Sequence, residues 1–389
     1  MREKDMFTDN ETLIKDNHDY KSWKIKKTKI SKNGTLRIIV KEEFFGGKQV
    51  REILTSLNFS LKKYGKKLRR VEFIFSKFRP ADKMSYIMLE IIIFLLKEKY
   101  NIEIGLNGTL DTDINTYGLL ESILADFGTR KISNTDFLDM FKKKNRLKSR
   151  SMRKIISCND VSEISILMSE VKSFLKVFEI CEEDRKNISR VVCELADNAC
   201  EHAKNDCLVD IDVSNPHKKK GDEIGEYYAV NICILNFSNI LLGEKVKNKI
   251  LNSDYSEKGE QYKKIYDAYT IHKQLFDKTY TEEHFFLMAS FQNEISGRDF
   301  ETETGGKGLA EIVGELEKTV DQYSCYVLSG KNGIAFHPNT LEIDQNGWIS
   351  FNCKKDFLNH RPDKEVVLYS DTYLPGTGYN LSIVYKKER

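Results

Sequence analysis

The sequence predicts an α/β protein with two domains. Its 389 residues exceed one average domain. In both halves of the chain, short apolar runs alternate with longer segments whose apolar residues recur at helical spacing. The 40% hydrophobic and 31% charged residues are typical of a globular protein. The net charge of +3 is too small for this length to indicate or exclude a nucleic-acid partner.

The first domain is predicted over residues 31–141, after a polar arm at residues 1–30. The longest apolar run, residues 87–96, is about half the length that spans a bilayer, so we expect a buried helix and no membrane contact. Strand-like and helix-like segments alternate as expected for a small α/β domain. In chain order they lie at residues 35–40 (strand), 46–67 (helix), 71–75 (strand), 79–100 (helix), 102–106 (strand) and 117–128 (helix).

A strongly basic segment follows at residues 142–154, where eight of thirteen residues are Lys or Arg. Such a run is typical of a solvated linker, and we place the domain boundary here. Contact with nucleic acid through this segment is the less favoured alternative.

The second domain is predicted over residues 155–389. Two amphipathic helices are expected at residues 161–180 and 182–203, and a long charged stretch covers residues 240–300. The strand-like segments lie at residues 207–214, 227–237, 323–330, 333–337, 348–353 and 379–385.

The second predicted helix contains the sequence "VVCELADNACEHA" (191–203), which combines acidic and amide groups with small apolar residues. Glu194, Asn198 and Glu201 are spaced four and three apart, so they share one helix face. An amide oxygen is a suitable Mg²⁺ ligand beside phosphate oxygens and water, and a carboxylate one turn away can polarise a water molecule. The alternative is an ordinary solvated helix face.

A glycine-rich turn, "TGGKGLAEIV" (304–313), precedes a further helical pattern. Gly305, Gly306 and Gly308 permit close backbone approach, and the N–H groups that open the next helix favour an anion. Lys307 adds a positive charge beside them. Most such turns bind nothing, but this one follows the acidic-amide helix by about a hundred residues.

The two motifs together resemble the GHKL ATPases, a superfamily that includes gyrase, a heat-shock chaperone, histidine kinases and mismatch-repair proteins. "ELADNACEHA" resembles the N box of that family and "GGKGL" its glycine box, and the resemblance covers roughly residues 155–385. It implies a GHKL (Bergerat) two-layer α/β sandwich with a mixed sheet, which binds ATP and Mg²⁺. The order of the first domain resembles a STAS domain.

The resemblance implies a role for each matching residue. Glu194 would be the general base, Asn198 the Mg²⁺ ligand, and Glu201 a group near the ribose or phosphates. Gly305 to Leu309 would close over the phosphates: Gly305, Gly306, Lys307, Gly308 and Leu309. Residues 240–300 would form an enlarged lid.

The chain departs from the family pattern after the second predicted strand. The family usually has D-x-G-x-G there, whereas this chain has "LNFSN" (235–239). Asn236 takes the position of the base-contacting Asp, and Ser238 takes a Gly position. A neutral amide oxygen accepts a hydrogen bond from adenine more weakly than a carboxylate does.

Four functions fit these observations. The first is an ATP-dependent switch with slow hydrolysis, which acts on a protein partner or within a homodimer. The second is a protein serine/threonine kinase of the anti-sigma type, the third a non-catalytic scaffold on a degenerate ATPase fold, and the fourth a nucleic-acid-binding ATPase. A histidine autokinase is not expected, because only His18 precedes the N box.

We expect the protein in a reducing cytoplasm. The N-terminal residues show no apolar segment before a cleavage site. The eight cysteines are scattered, with no C-x-x-C pair and no zinc-ligand spacing.

Overall fold

The computed structural model describes residues 11–17, 29–111, 117–160, 162–219, 222–252, 259–292, 295, 325–344 and 347–387, which form a mixed α/β fold. In these ranges no helix combines the length and apolar character needed to cross a membrane. All eight cysteines are free thiols.

The first domain contains a three-stranded parallel sheet in the order β1-β2-β3. The three predicted strands are confirmed, and the helix predicted from residue 79 begins at Lys83. It starts there because the Asp82 side chain caps it, accepting a hydrogen bond from the Ser85 backbone N–H at 2.8 Å. The elements are α1 (Glu11–Lys15), β1 (Thr35–Val40), α2 (Gly47–Tyr64), β2 (Arg70–Phe78), α3 (Lys83–Tyr100), β3 (Glu103–Leu110), α4 (Ile123–Gly128) and α5 (Asn134–Lys142).

The second domain is built on a larger sheet, whose main path has the order β4-β5-β6-β8-β10-β9, with β7 paired to β8. Each pairing among its described strands is antiparallel, so the predicted mixed sheet is wrong for this part of the chain. Its elements are β4 (Asn145–Leu147), β5 (Ser151–Ile156), α6 (Ser162–Leu175), α7 (Glu182–Ala203), β6 (Cys207–Val213), β7 (His217–Lys219), β8 (Asp222–Asn236), α8 (Glu244–Asn252), α9 (Gly259–His272), α10 (Glu282–Ala289), β9 (Tyr326–Ala335) and β10 (Val367–Lys386).

The basic segment 142–154 differs from the solvated linker that the sequence predicts. It forms the hairpin β4–β5, and β5 pairs with β6 along its whole length. Its cations have partners within the fold: Lys154 binds Glu170 at 2.6 Å, and the Arg150 guanidinium donates to the Val213 carbonyl at 2.9 Å. This segment is therefore part of the sheet, and most of its charge is not available to a nucleic acid.

The large sheet is covered on both faces. Along β8, Ile232 and Ile234 face the core formed with α6 and α7, whereas Cys233 and Leu235 belong to the core of the first domain. Helix α3 of the first domain packs on β8 and β10 from that second side. The two domains therefore share one sheet, whose middle strand contributes side chains to both cores.

A buried ionic cluster joins the two domains, and we call it the interdomain network. The Lys83 ammonium, at the start of α3, lies 2.6 Å from Asp210 and 2.7 Å from Asp212 on β6. Arg153 on β5 contacts both Asp210 and Glu90 of α3. Burial disfavours the charged ammonium, yet the two carboxylates hold the pKa of Lys83 well above its ordinary value. Lys83 therefore stays protonated, whereas burial raises the pKa of Asp212 above its ordinary value.

Residues 240–300 contribute helices α8, α9 and α10. Ile250, Ile265 and Phe285, one from each helix, are buried in the core that also contains α7. His272 at the end of α9 lies 2.9 Å from the Phe357 carbonyl and 2.6 Å from the Tyr280 hydroxyl. Burial lowers the pKa of His272 to about 4, so its neutral form holds this helix against the C-terminal part of the chain.

We predict that Lys83→Met destabilises the protein by about 3–5 kcal/mol, because it leaves Asp210 and Asp212 buried beside a missing cation. Urea unfolding at neutral pH measures the loss. The matched control is Lys172→Met, since Lys172 pairs with Glu182 at 3.1 Å on the surface. That substitution should cost under about 1 kcal/mol.

The double variant Lys83→Met/Asp212→Asn should recover part of the lost stability, because it removes one of the uncompensated carboxylates. A loss for Lys83→Met no larger than that of the Lys172→Met control would contradict a buried, charged interdomain network.

Candidate functional site

Helix α7 carries the predicted acidic-amide face, and its bounds match the predicted helix at residues 182–203. Three acidic residues lie in its first turn, where the positive end of the helix dipole stabilises their negative charges. Leu195 and Ala199 are buried against the sheet, whereas Glu194 and Asn198 are half-buried on the other side. The amphipathic pattern therefore orients the face as the sequence predicts.

Asn198 differs from Glu194 on this face in its hydrogen bonding. Within the described part of the chain, its half-buried side chain makes no hydrogen bond. Glu194 lies one turn earlier and has interaction partners of its own. Burial, and secondly the negative charge of Glu194, raise the pKa of the Cys193 thiol to about 12. Glu201 belongs to α7, and its side chain lies outside the described part.

Asn236, the predicted base-contacting residue, is 2% exposed at the end of β8. Its Nδ2 donates to the Ala199 carbonyl of α7. Its Oδ1 accepts from the Thr377 backbone N–H at 3.0 Å, directly across the sheet on β10. Both ends of the amide are thus engaged, so Asn236 fastens α7 to the two central strands. In this arrangement it does not present its amide to a nucleotide base.

Ser238, also predicted to bind nucleotide, shapes the turn that follows β8. Its hydroxyl accepts from the Ile240 N–H at 2.9 Å, and its own N–H donates to the Pro375 carbonyl at 3.3 Å. Gly376 packs against this turn with φ of +106°, and a Cβ there would lie 2.4 Å from the Asn236 carbonyl oxygen. Only glycine fits this contact. None of the sequence motifs described above contains Gly376.

Tyr379 is a second residue that sequence reasoning missed. It follows Thr377 by two positions on β10, so the two side chains share the sheet face that packs against α7. Its hydroxyl is buried without a hydrogen-bond partner in the described part of the chain. A buried hydroxyl of this kind is uncommon in folded proteins, and a tyrosine within an apolar strand gives no sequence signal of it.

The predicted glycine box cannot be placed beside this site. Gly305, Gly306, Lys307, Gly308 and Leu309 all lie outside the described residues. Among the residues that the structure describes, no group of three or more His, Cys, Asp and Glu side chains is arranged to hold a metal ion. The described part of the site therefore consists of α7, the end of β8, and the Gly376–Tyr379 part of β10.

Comparison with known proteins finds no matching family model, no similar curated protein and no matching solved structure. The function is therefore inferred from the geometry of the site itself.

We predict that Asn236→Asp lowers the free energy of unfolding by about 1–3 kcal/mol. An ionised carboxylate cannot donate to the Ala199 carbonyl, and it places a charge against that oxygen. Urea unfolding is the measurement, with Asn239→Asp as the matched control, because Asn239 is exposed three residues later in the same turn. The control should change stability by less than about 0.5 kcal/mol.

The opposite outcome is also informative. An Asn236→Asp protein as stable as the wild type, with tighter ATP binding, would mean that this side chain turns from Ala199 toward the ligand.

Proposed function

We propose that the second domain binds Mg-ATP in the manner of the GHKL ATPases and hydrolyses it slowly, so that the bound nucleotide acts as a switch. The site would lie between α7, the turn after β8, and the glycine-rich segment at residues 304–313. Neither the fold family nor the nucleotide follows from any known relative, and the proposal rests on motif order together with local geometry.

The hydrogen bond from Asn236 to the Ala199 carbonyl carries the proposal. It joins the helix that carries Glu194 and Asn198 to the segment 235–239, and its two residues are 37 positions apart in sequence. Ala199 directly follows Asn198, whose amide is half-buried and makes no hydrogen bond within the described residues. An available amide oxygen beside this junction has the chemistry of a Mg²⁺ ligand.

Each remaining residue has a role in this proposal. Glu194, one helical turn before Asn198, would orient the water that attacks the γ-phosphate. The backbone N–H groups of residues 305–309 and the Lys307 ammonium would bind the phosphates. Because Asn236 is engaged by α7 and β10, base recognition would fall to neighbouring groups, among which the Tyr379 hydroxyl has no hydrogen-bond partner within the described residues.

The shared sheet supplies a physical route from nucleotide to first domain. On one side of β8, Asn236 contacts α7, and on the same strand Asn231 donates to Asp212 of the interdomain network at 3.0 Å. A ligand that shifts α7 therefore acts on a strand that also holds the first domain. Switching requires that the contacts between α7 and β8 differ between the nucleotide-bound and the nucleotide-free protein.

A non-catalytic scaffold is the second candidate, and one observation favours it. The engagement of both ends of the Asn236 amide removes the polar contact by which the GHKL family reads adenine. A domain that retained the fold and lost the nucleotide would keep this hydrogen bond for structural reasons alone.

We predict that the wild-type protein binds Mg-ATP with micromolar affinity, about 8 kcal/mol, in calorimetric titration. Asn198→Ala should weaken binding at least tenfold, because it removes the proposed metal ligand. Asn187→Ala is the matched control: it lies eleven residues earlier on the same helix, hence on nearly the same face, about 16 Å away. It should bind as the wild type does.

Absence of binding by the folded wild type, for both ATP and GTP, would refute the proposal and favour the scaffold. Equal weakening by both alanine variants would mean that α7 is perturbed as a whole and that Asn198 is no ligand.

We further predict that Glu194→Gln retains Mg-ATP binding within about threefold and loses phosphate release at least a hundredfold, the lower range for general-base catalysis. A phosphate-release assay with purified protein measures turnover. Labelled phosphate that appears on a co-purified protein instead would identify the kinase alternative. Unchanged turnover would exclude Glu194 as the base.

A further inference from the structure

A basic groove lies at the opposite end of the first domain from the interdomain network. Its floor is the amino-terminal edge of the parallel sheet, and its walls are the C-terminal ends of α2 and α3. The cavity has a volume of about 950 Å³. We call it the amino-edge groove; its cationic lining residues are Lys66, Arg69, Arg70, Lys97 and Lys99.

The charge of the amino-edge groove is largely uncompensated. Glu103 is its one acidic lining residue, and Arg70 already contacts it at 3.4 Å. The other four cations, Lys66, Arg69, Lys97 and Lys99, form no ion pair with any described residue. Lys66, Arg69 and Lys99 are exposed, so their charges face solvent.

Helix dipoles do not account for this charge. Lysines near helix C-termini commonly offset the partial negative charge there, which is about half a unit per helix. Two helix ends therefore offset about one positive charge. The five cations and the carboxylate of Glu103 together carry a net charge of about +4, and the two helix ends reduce it to about +3. This excess positive charge attracts an anionic ligand.

The lining indicates the class of ligand. Leu68 and Ile102 are buried beneath the groove, whereas the half-buried Leu61 and Tyr100 line it together with the cations. The cations also extend beyond the cavity, because six of the nine residues 62–70 are Lys or Arg. A row of positive charges suits a polymer of phosphates.

We propose that the amino-edge groove binds the phosphate backbone of a nucleic acid without sequence specificity. This function is independent of the nucleotide site on α7. It also differs from the basic segment 142–154, whose cations are mostly paired within the fold. Contacts to phosphate position a protein on nucleic acid but carry no base information.

The test uses the 389-residue protein and fluorescently labelled 20-nucleotide single strands and duplexes of random sequence. Fluorescence anisotropy at 50 to 200 mM KCl measures affinity and its salt dependence. Four unpaired cations predict a slope of log K against log salt of about −3 for single strands. Lys66→Glu/Lys99→Glu should weaken binding at least tenfold and reduce the magnitude of the slope by about 1.4.

The matched control is Lys143→Glu/Lys144→Glu, which reverses two exposed charges of the basic segment 142–154. It should bind nucleic acid as the wild type does, and circular dichroism verifies that both double variants fold. Any of three results would overturn the proposal: no binding at 50 mM KCl, equal loss in both double variants, or displacement by poly-glutamate as effective as that by unlabelled nucleic acid.

Discussion

The buried ammonium of Lys83 between Asp210 and Asp212 is the contact on which the arrangement of the two domains depends. Removing these charges from water costs several kcal/mol per ion, and only close, well-oriented partners offset that cost. Arg153 and Glu90 complete the set, so both domains must supply charges at the same place. Apolar packing alone tolerates small shifts of α3 on the sheet, whereas this network fixes its position.

A fixed α3 has consequences for the other face of the sheet. Alternate residues of β8 point to opposite sides, so the strand that receives α3 also positions Asn236 under α7. The Met84 backbone N–H donates to Asn380 on β10 at 3.1 Å, three residues from Thr377, which binds Asn236. The first domain is therefore a structural support of the candidate nucleotide site, and the two domains act as one body.

The sequence predicts elements well where local pattern decides them and fails where distant partners decide. Helix α7 follows from its own amphipathic spacing, and β1 from a short segment rich in Leu, Ile and Val. The basic composition of residues 142–154 predicts a solvated linker. The segment is instead part of the sheet, because Arg153 pairs with Asp210 of β6, which is 57 residues away in sequence. The acidic-amide face of α7 can likewise be predicted from residue spacing. The positions of Gly376 and Tyr379 cannot, because they depend on the pairing of β10 with β8.

The presence of an amide at position 236 follows from the same logic. The side chain faces two backbone groups of opposite polarity, the Ala199 carbonyl and the Thr377 N–H. An amide satisfies both, whereas a carboxylate leaves the carbonyl unpaired and adds a buried charge. The amide at this position thus has a structural cause. The same reasoning distinguishes the two basic regions. Most cations of residues 142–154 are paired with groups of the fold, whereas most cations of the amino-edge groove form no ion pair with a described residue.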